Sequence, residues 1–148
     1  MLSLAAVHSL KALLELALEP GAWRSVAELA AAQRLPAPML EQLLLRLRRA
    51  GLVEARRGRH GGYRLARPPA EIALQEVLAA LTSGERGGLP AKAATGEEAA
   101  GEVVTRALQR RLEAALQREL ARITLEELLY DLRSSRAALS AEGGLLLG

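Results

Sequence analysis

Between residues 25 and 67 helix signals, breaks and a glycine-rich turn follow one another at a spacing that few folds accommodate. Ser25 and Glu28 form a capping box, the hydroxyl placed for the first free backbone N–H groups and the carboxylate reaching back. The spacing predicts a short helix from Val26 to Gln33 with Val26, Leu29 and Ala30 inward. Pro36 and Pro38 then force a break, since each proline lacks a donor and restricts its predecessor. Pro38 suits the first turn of a second helix that runs to Ala50, burying Leu40, Leu43, Leu44 and Leu47, with Gly51 as its cap. Two alternating stretches, Leu52 to Arg57 and Tyr63 to Arg67, flank Gly58 to Gly62 and read as a β-hairpin.

The segments on either side are helical. Leu4, Val7, Leu10, Leu13, Leu14 and Ala17 mark one buried face of a helix over Ser3 to Glu19, stopped by Pro20 and Gly21. Ile72, Val77, Leu78 and Leu81 mark another over Ala70 to Leu81. Residues 82–101 are rich in glycine and small residues and are expected to be a flexible loop, with Thr95 and Glu98 as a second capping box near its end. From Val103 to Ile123 an apolar stripe continues for about six turns, too long to be buried on an ~80-residue domain. A second long helix is expected against it, which makes a dimer. Thr124 restarts a helix that is expected to fade near Ala138, leaving a frayed tail.

The fold class expected is therefore mainly α: a winged helix-turn-helix over residues 1–81 with a two-stranded hairpin wing, the loop 82–101, a dimerisation helix and short following helix over 102–140, and a disordered tail over 141–148. No apolar run approaches the ~20 residues of a membrane span. There is no cysteine, which excludes disulfides and thiolate metal sites, and no nucleophile–base or paired-acid arrangement points to catalysis. A cytoplasmic protein without a cofactor is expected.

Charge locates the function. From Arg34 to Arg67 nine arginines face Glu41 and Glu54, a local balance of +7, whereas from Thr82 onward nine basic residues face ten acidic ones. Such a basic stripe is a footprint for a polyanion. Glu41 can accept from a cytosine amino group and Gln42 can bond an adenine edge. Arg57 and Arg59 on the glycine-flanked turn have the reach and charge for a narrow minor groove. Met39, Arg46 and Arg49 are further candidate DNA contacts on the second helix, and His60 is either a phosphate contact or solvated. His8 and Tyr63 read as packing residues. Trp23 reads as a staple onto the core or as the wall of an effector pocket. Glu97, Glu98 and Glu102 read as a solvated helix start rather than a cation site. The competing functional reading is a winged-helix protein-interaction module that leaves the arginine stripe solvated.

The stretch from Leu40 to Val53, with Arg57, Gly58 and the run Gly61 to Arg67, resembles the IscR/CymR/NsrR family of bacterial regulators. The segments Lys11 to Ala17 and Ile123 to Leu129 resemble that family's first helix and the piece after its dimerisation helix. The resemblance implies a homodimer, joined by the long helix, that binds an imperfect palindrome. It also implies that Glu41 and Gln42 lie in the recognition helix and that Arg57 is the wing arginine. Many members of the family hold an iron–sulfur cluster with three cysteines in the loop corresponding to residues 82–101; this loop has none. The sequence thus resembles the cluster-free branch, where an unidentified effector or a partner protein regulates. Arg59 and His60 stand where the family usually has Pro and Gly, and Met39 where Tyr is common.

Overall fold

A computed structural model describes residues 2–82 and 99–146. The first helix, α1 (Leu4–Leu18), starts where Ser3 Oγ accepts the Ala6 N–H at 3.1 Å. In α2 (Val26–Gln33) the Ser25 hydroxyl accepts from the Glu28 N–H at 3.1 Å, while the Glu28 carboxylate, expected to reach back to the cap, accepts from Arg24 Nε at 3.1 Å. Arg34 closes α2 in the left-handed region, φ 54°, and turns the chain into α3 (Ala37–Arg49).

Next come β1 (Val53–Arg56) and β2 (Gly62–Leu65), antiparallel, with Val53 opposite Leu65, Glu54 opposite Arg64, Ala55 opposite Tyr63 and Arg56 opposite Gly62. A single bridging residue pairs with β2. Arg24, just before α2, donates its N–H to the Tyr63 carbonyl at 2.9 Å and accepts from the Tyr63 N–H at 2.7 Å. The wing is thereby stitched to the entry of the helix-turn-helix.

The helix expected over Ala70 to Leu81 is shorter. Pro69–Glu71 forms one 3₁₀ turn, Ile72 is extended, and α4 covers Leu74–Thr82. Tertiary pairing explains the break: the Leu74 N–H donates to the Ile123 carbonyl at 2.8 Å, and the Leu125 N–H to the Ile72 carbonyl at 2.9 Å. These bonds need an extended backbone at Ile72, and local helix propensity yields to them. Glu76 starts the new helix by accepting from the Ala73 N–H at 3.0 Å.

Two long helices complete the chain, α5 (Ala100–Arg122) and α6 (Leu125–Leu146). The fading expected near Ala138 is corrected: α6 stays helical to Leu146, and residues 147–148 of the expected tail lie outside the described residues. Alanine, leucine, serine and glutamate continue from Ala137 to Glu142 without a proline to stop them. The flexible loop expected at 82–101, and the capping box at Thr95 and Glu98, fall almost wholly outside the described residues.

Leu13, Leu16, Leu40, Leu44 and Leu47 fill the core where α1 and α3 meet, and Leu29 closes it from α2. Leu125 and Leu129 from the first turns of α6 lie in that same core, each such side chain contributing about 1.5–3 kcal/mol by leaving water. Farther along α6, Arg136 reaches the buried Glu15 carboxylate of α1 at 3.3 Å, and Gln33 donates to the same oxygen at 2.8 Å. A buried carboxylate needs such partners. In contrast, α5 gives the core only Leu120.

Candidate nucleic-acid interface

The second helix of the pair, α3, buries Leu40, Leu43, Leu44 and Leu47, and this fixes what its other faces show. Glu41 and Gln42 are exposed near its N-terminal end, and Arg48 and Arg49 near its C-terminal end. Met39 does not join them: it is half-buried against the core, its Sδ 3.1 Å from His8 Nδ1 on α1. The seven-residue step from Met39 to Arg46 keeps both on one flank of the helix. On that flank Arg46 donates to the Leu81 carbonyl at 3.3 Å, in the last turn of α4, where a cation also meets the negative helix end.

The wing tip is built by its glycines. Gly58 takes φ +107°, and the Gly61 N–H closes the turn on the Gly58 carbonyl at 3.0 Å. A Cβ at Gly61 would collide with the Arg56 carbonyl, and one at Gly62, which has φ +142°, with the Arg24 carbonyl. Arg57, Arg59 and His60 all stand exposed on this turn. Arg56 donates to the His60 carbonyl at 2.7 Å and holds the tip from its base. Tyr63 is half-buried and packs against the core.

Trp23 is not the core staple expected of it. The ring lies half-buried beneath the hairpin, with the Arg56 guanidinium 4.5 Å and the Arg64 guanidinium 4.4 Å from its centroid. The cross-strand register puts these two arginines on one face of the sheet. Sequence reading missed this shelf, because diagonal neighbours emerge only once the register is known; the alternation Glu54, Arg56 in the first stretch was the available signal.

The stripe's charge divides into two populations. Arg64 pairs with Glu54 at 2.9 Å and Arg67 with Glu76 at 2.8 Å. Glu76 is held below the ordinary carboxylate range, first by the Ala73 N–H and then by Arg67. Among the described residues, Arg34, Arg46, Arg48, Arg49, Arg56, Arg57 and Arg59 pair with no acid and are exposed, Arg46 and Arg56 being engaged with backbone carbonyls. The surface so formed offers hydrogen-bonding side chains on a helix, flanked by unneutralised guanidinium groups, which suits the bases and phosphates of a duplex.

The family model described as Rrf2, iron-dependent transcriptional regulator, matches residues 2–131. The chain belongs to the Rrf2 family. A Synechocystis sp. protein proposed to be an HTH-type transcriptional regulator is 43% identical over 134 residues, covering 88% of each chain. Among solved structures, T. potens IscR is similar with a TM-score of 0.74 and 29% identity, covering 91% of this chain and 90% of that one. CymR, the global cysteine regulator of B. subtilis, is similar with a TM-score of 0.70 and 31% identity, covering 88% of this chain and 96% of that one. This Rrf2 protein is accordingly a DNA-binding transcriptional regulator of the winged helix-turn-helix type, mainly helical with one two-stranded sheet.

The iron in the family's description raises the question of ligands. The chain has no cysteine and only two histidines, His8 and His60, which lie on α1 and on the wing tip. Among the described residues no three His, Cys, Asp or Glu side chains come together to hold a metal. An iron–sulfur cluster held by thiolates does not fit this donor set. Among the same residues no helix is long and apolar enough to cross a membrane.

Proposed function

We propose that the chain acts in the cytoplasm, on the nucleoid, as a homodimeric repressor of a palindromic operator, without an iron–sulfur cluster. The observation that carries this reading is the closed wing turn, where Arg57 and Arg59 are exposed and outside any ion pair, on the same domain as an α3 face bearing Glu41 and Gln42. In this reading Glu41 and Gln42 touch base edges in the major groove, Arg57 enters the minor groove, and Arg49, Arg59 and His60 contact phosphates. Arg46 acts mainly through the fold, by its bond to Leu81, and Met39 by seating α3 on His8.

The dimer is supported by α5. Val104, Leu108, Leu112 and Leu116 recur every four residues and are 67%, 50%, 61% and 45% exposed. A second copy of the helix laid antiparallel over them meets the same four side chains, so the surface is self-complementary, as a twofold contact requires. Two recognition helices would then address half-sites about one helical turn, ~34 Å, apart. Independence from a cluster rests on the missing thiolates, and regulation falls to an unidentified effector or a partner protein.

Selection of bound sequences from a random DNA pool tests this reading. A palindrome is expected, and Arg57→Ala should weaken binding to it by roughly 1–3 kcal/mol. Affinity should also fall by orders of magnitude as salt rises, because several phosphates are contacted. Sequence-indifferent or salt-insensitive binding would point instead to a protein-interaction module.

A further inference from the structure

We infer that Trp23 is a positioning residue for DNA readout, setting the pose of the wing arginine Arg57 relative to the recognition helix. The inference rests on the DNA-reading function proposed above. Trp23 sits in the segment that leads into α2, one residue before Arg24 and two before the cap Ser25. A change at this point reaches the wing and the helix-turn-helix together.

The backbone alone does not fix the wing. The segment before α2 bonds to the hairpin at one residue pair, Arg24 with Tyr63, and only through β2. These bonds, with Val53 and Leu65 in the core, hold the base of the hairpin and do not reach the turn that carries Arg57 to His60. Trp23 supplies what the backbone lacks. The guanidinium groups over its ring come from both strands, Arg56 on β1 and Arg64 on β2. Arg56 also precedes Arg57 directly and donates to the His60 carbonyl at 2.7 Å, so the group seated on the ring grips the tip from inside. From Trp23 the path to Arg57 is therefore one ring contact and one peptide link, and the path to His60 one ring contact and one hydrogen bond. The ring belongs to no core cluster, being half-buried beneath charged groups, and its neighbours recommend it for orientation rather than for burial.

The test is a double-mutant cycle on the selected operator. Trp23→Leu keeps apolar bulk and removes the ring face; Trp23→Phe keeps a face. Each cation–ring contact at such a site is worth roughly a two- to fivefold factor. Trp23→Leu should thus weaken operator binding about tenfold and leave random-sequence DNA binding within about twofold, while Trp23→Phe recovers most of the loss. In an Arg57→Ala background, Trp23→Leu should change operator affinity by less than about twofold, because its effect passes through Arg57. In the free protein, backbone order parameters at residues 58–60 should fall below about 0.6 in Trp23→Leu and not in Trp23→Phe. Additive losses, equal losses on random DNA, or unchanged wing order would each overturn the inference. If Trp23→Leu does not fold, Arg56→Gln decides by the same cycle, with a smaller loss expected and additivity again refuting. A wild-type protein that selects no sequence would instead refute the DNA-reading function, and the order parameters would still judge the role of Trp23 in holding the wing.

Discussion

Gly62→Ala is expected to destabilise the fold strongly for a single-methyl change. At φ +142° the backbone is in a region that side-chain-bearing residues rarely enter, at about 1–2 kcal/mol for an ordinary residue. The added Cβ also points into the Arg24 carbonyl, a backbone atom that moves only if the segment leading into α2 moves. Moving it breaks two short bonds, 2.9 Å from the Arg24 N–H and 2.7 Å from the Tyr63 N–H, each worth about 1 kcal/mol. The combined loss is about 3–4 kcal/mol, and for a chain of this length each kcal/mol lowers the melting temperature by roughly 2–4 °C. A drop of about 6–16 °C should therefore appear in circular-dichroism melts run at one fixed protein concentration, since a dimer's melting point depends on concentration. Gly21→Ala is the control: nothing lies within 4 Å of its Cβ and its φ is ordinary, so it should melt as wild type does. A Gly62→Ala protein melting within about 2 °C of wild type would refute the claim that the Arg24–Tyr63 pairing holds the wing.

Other outcomes follow from the remaining surfaces. Leu108→Asp with Leu112→Asp should give a monomer in sedimentation equilibrium with native helicity retained, because both side chains are exposed in the single chain; a persistent dimer would place the interface elsewhere. Glu76→Gln should lower the melting temperature at neutral pH by a few degrees at most, as befits a half-exposed pair with Arg67. The folded-state pKa of Glu76 is depressed, so its stabilisation is present above the ordinary glutamate value and is lost as pH falls through the lowered one. Wild type and Glu76→Gln should accordingly converge in strong acid, and a constant gap across pH would exclude the charge as the cause.

Most of the helix-turn-helix was legible because its signals are local. A hydroxyl three residues before a glutamate, prolines that admit only a first turn, and leucines at helical spacing each act within a few residues, and α2, α3 and the hairpin follow them. The hairpin's glycines could likewise be placed from their order alone. What escaped depends on partners far along the chain. Ile72 is extended because residues 123 and 125 pair with its neighbourhood, which no window around Ala70 contains. Met39 is half-buried beside His8, a contact between α1 and α3 that no local window contains. Trp23 could be seen to need cover, but the cover came from two arginines of a hairpin whose register was not yet known.

The same long-range contacts bear on how a dimer would read two half-sites. Between α3, the recognition helix of the proposed reading, and the exposed stripe of α5 stands α4. It is tied to α3 by Arg46 at the Leu81 carbonyl, and to α5 by Gln75, which donates to Gln117 at 3.1 Å. The strand-like bonds at Ile72 and Leu74 clamp its other end to the junction of α5 and α6. Packed elements joined this way move as units rather than bending smoothly. In the proposed dimer the separation of the two recognition helices is then set by the angle that α4 transmits.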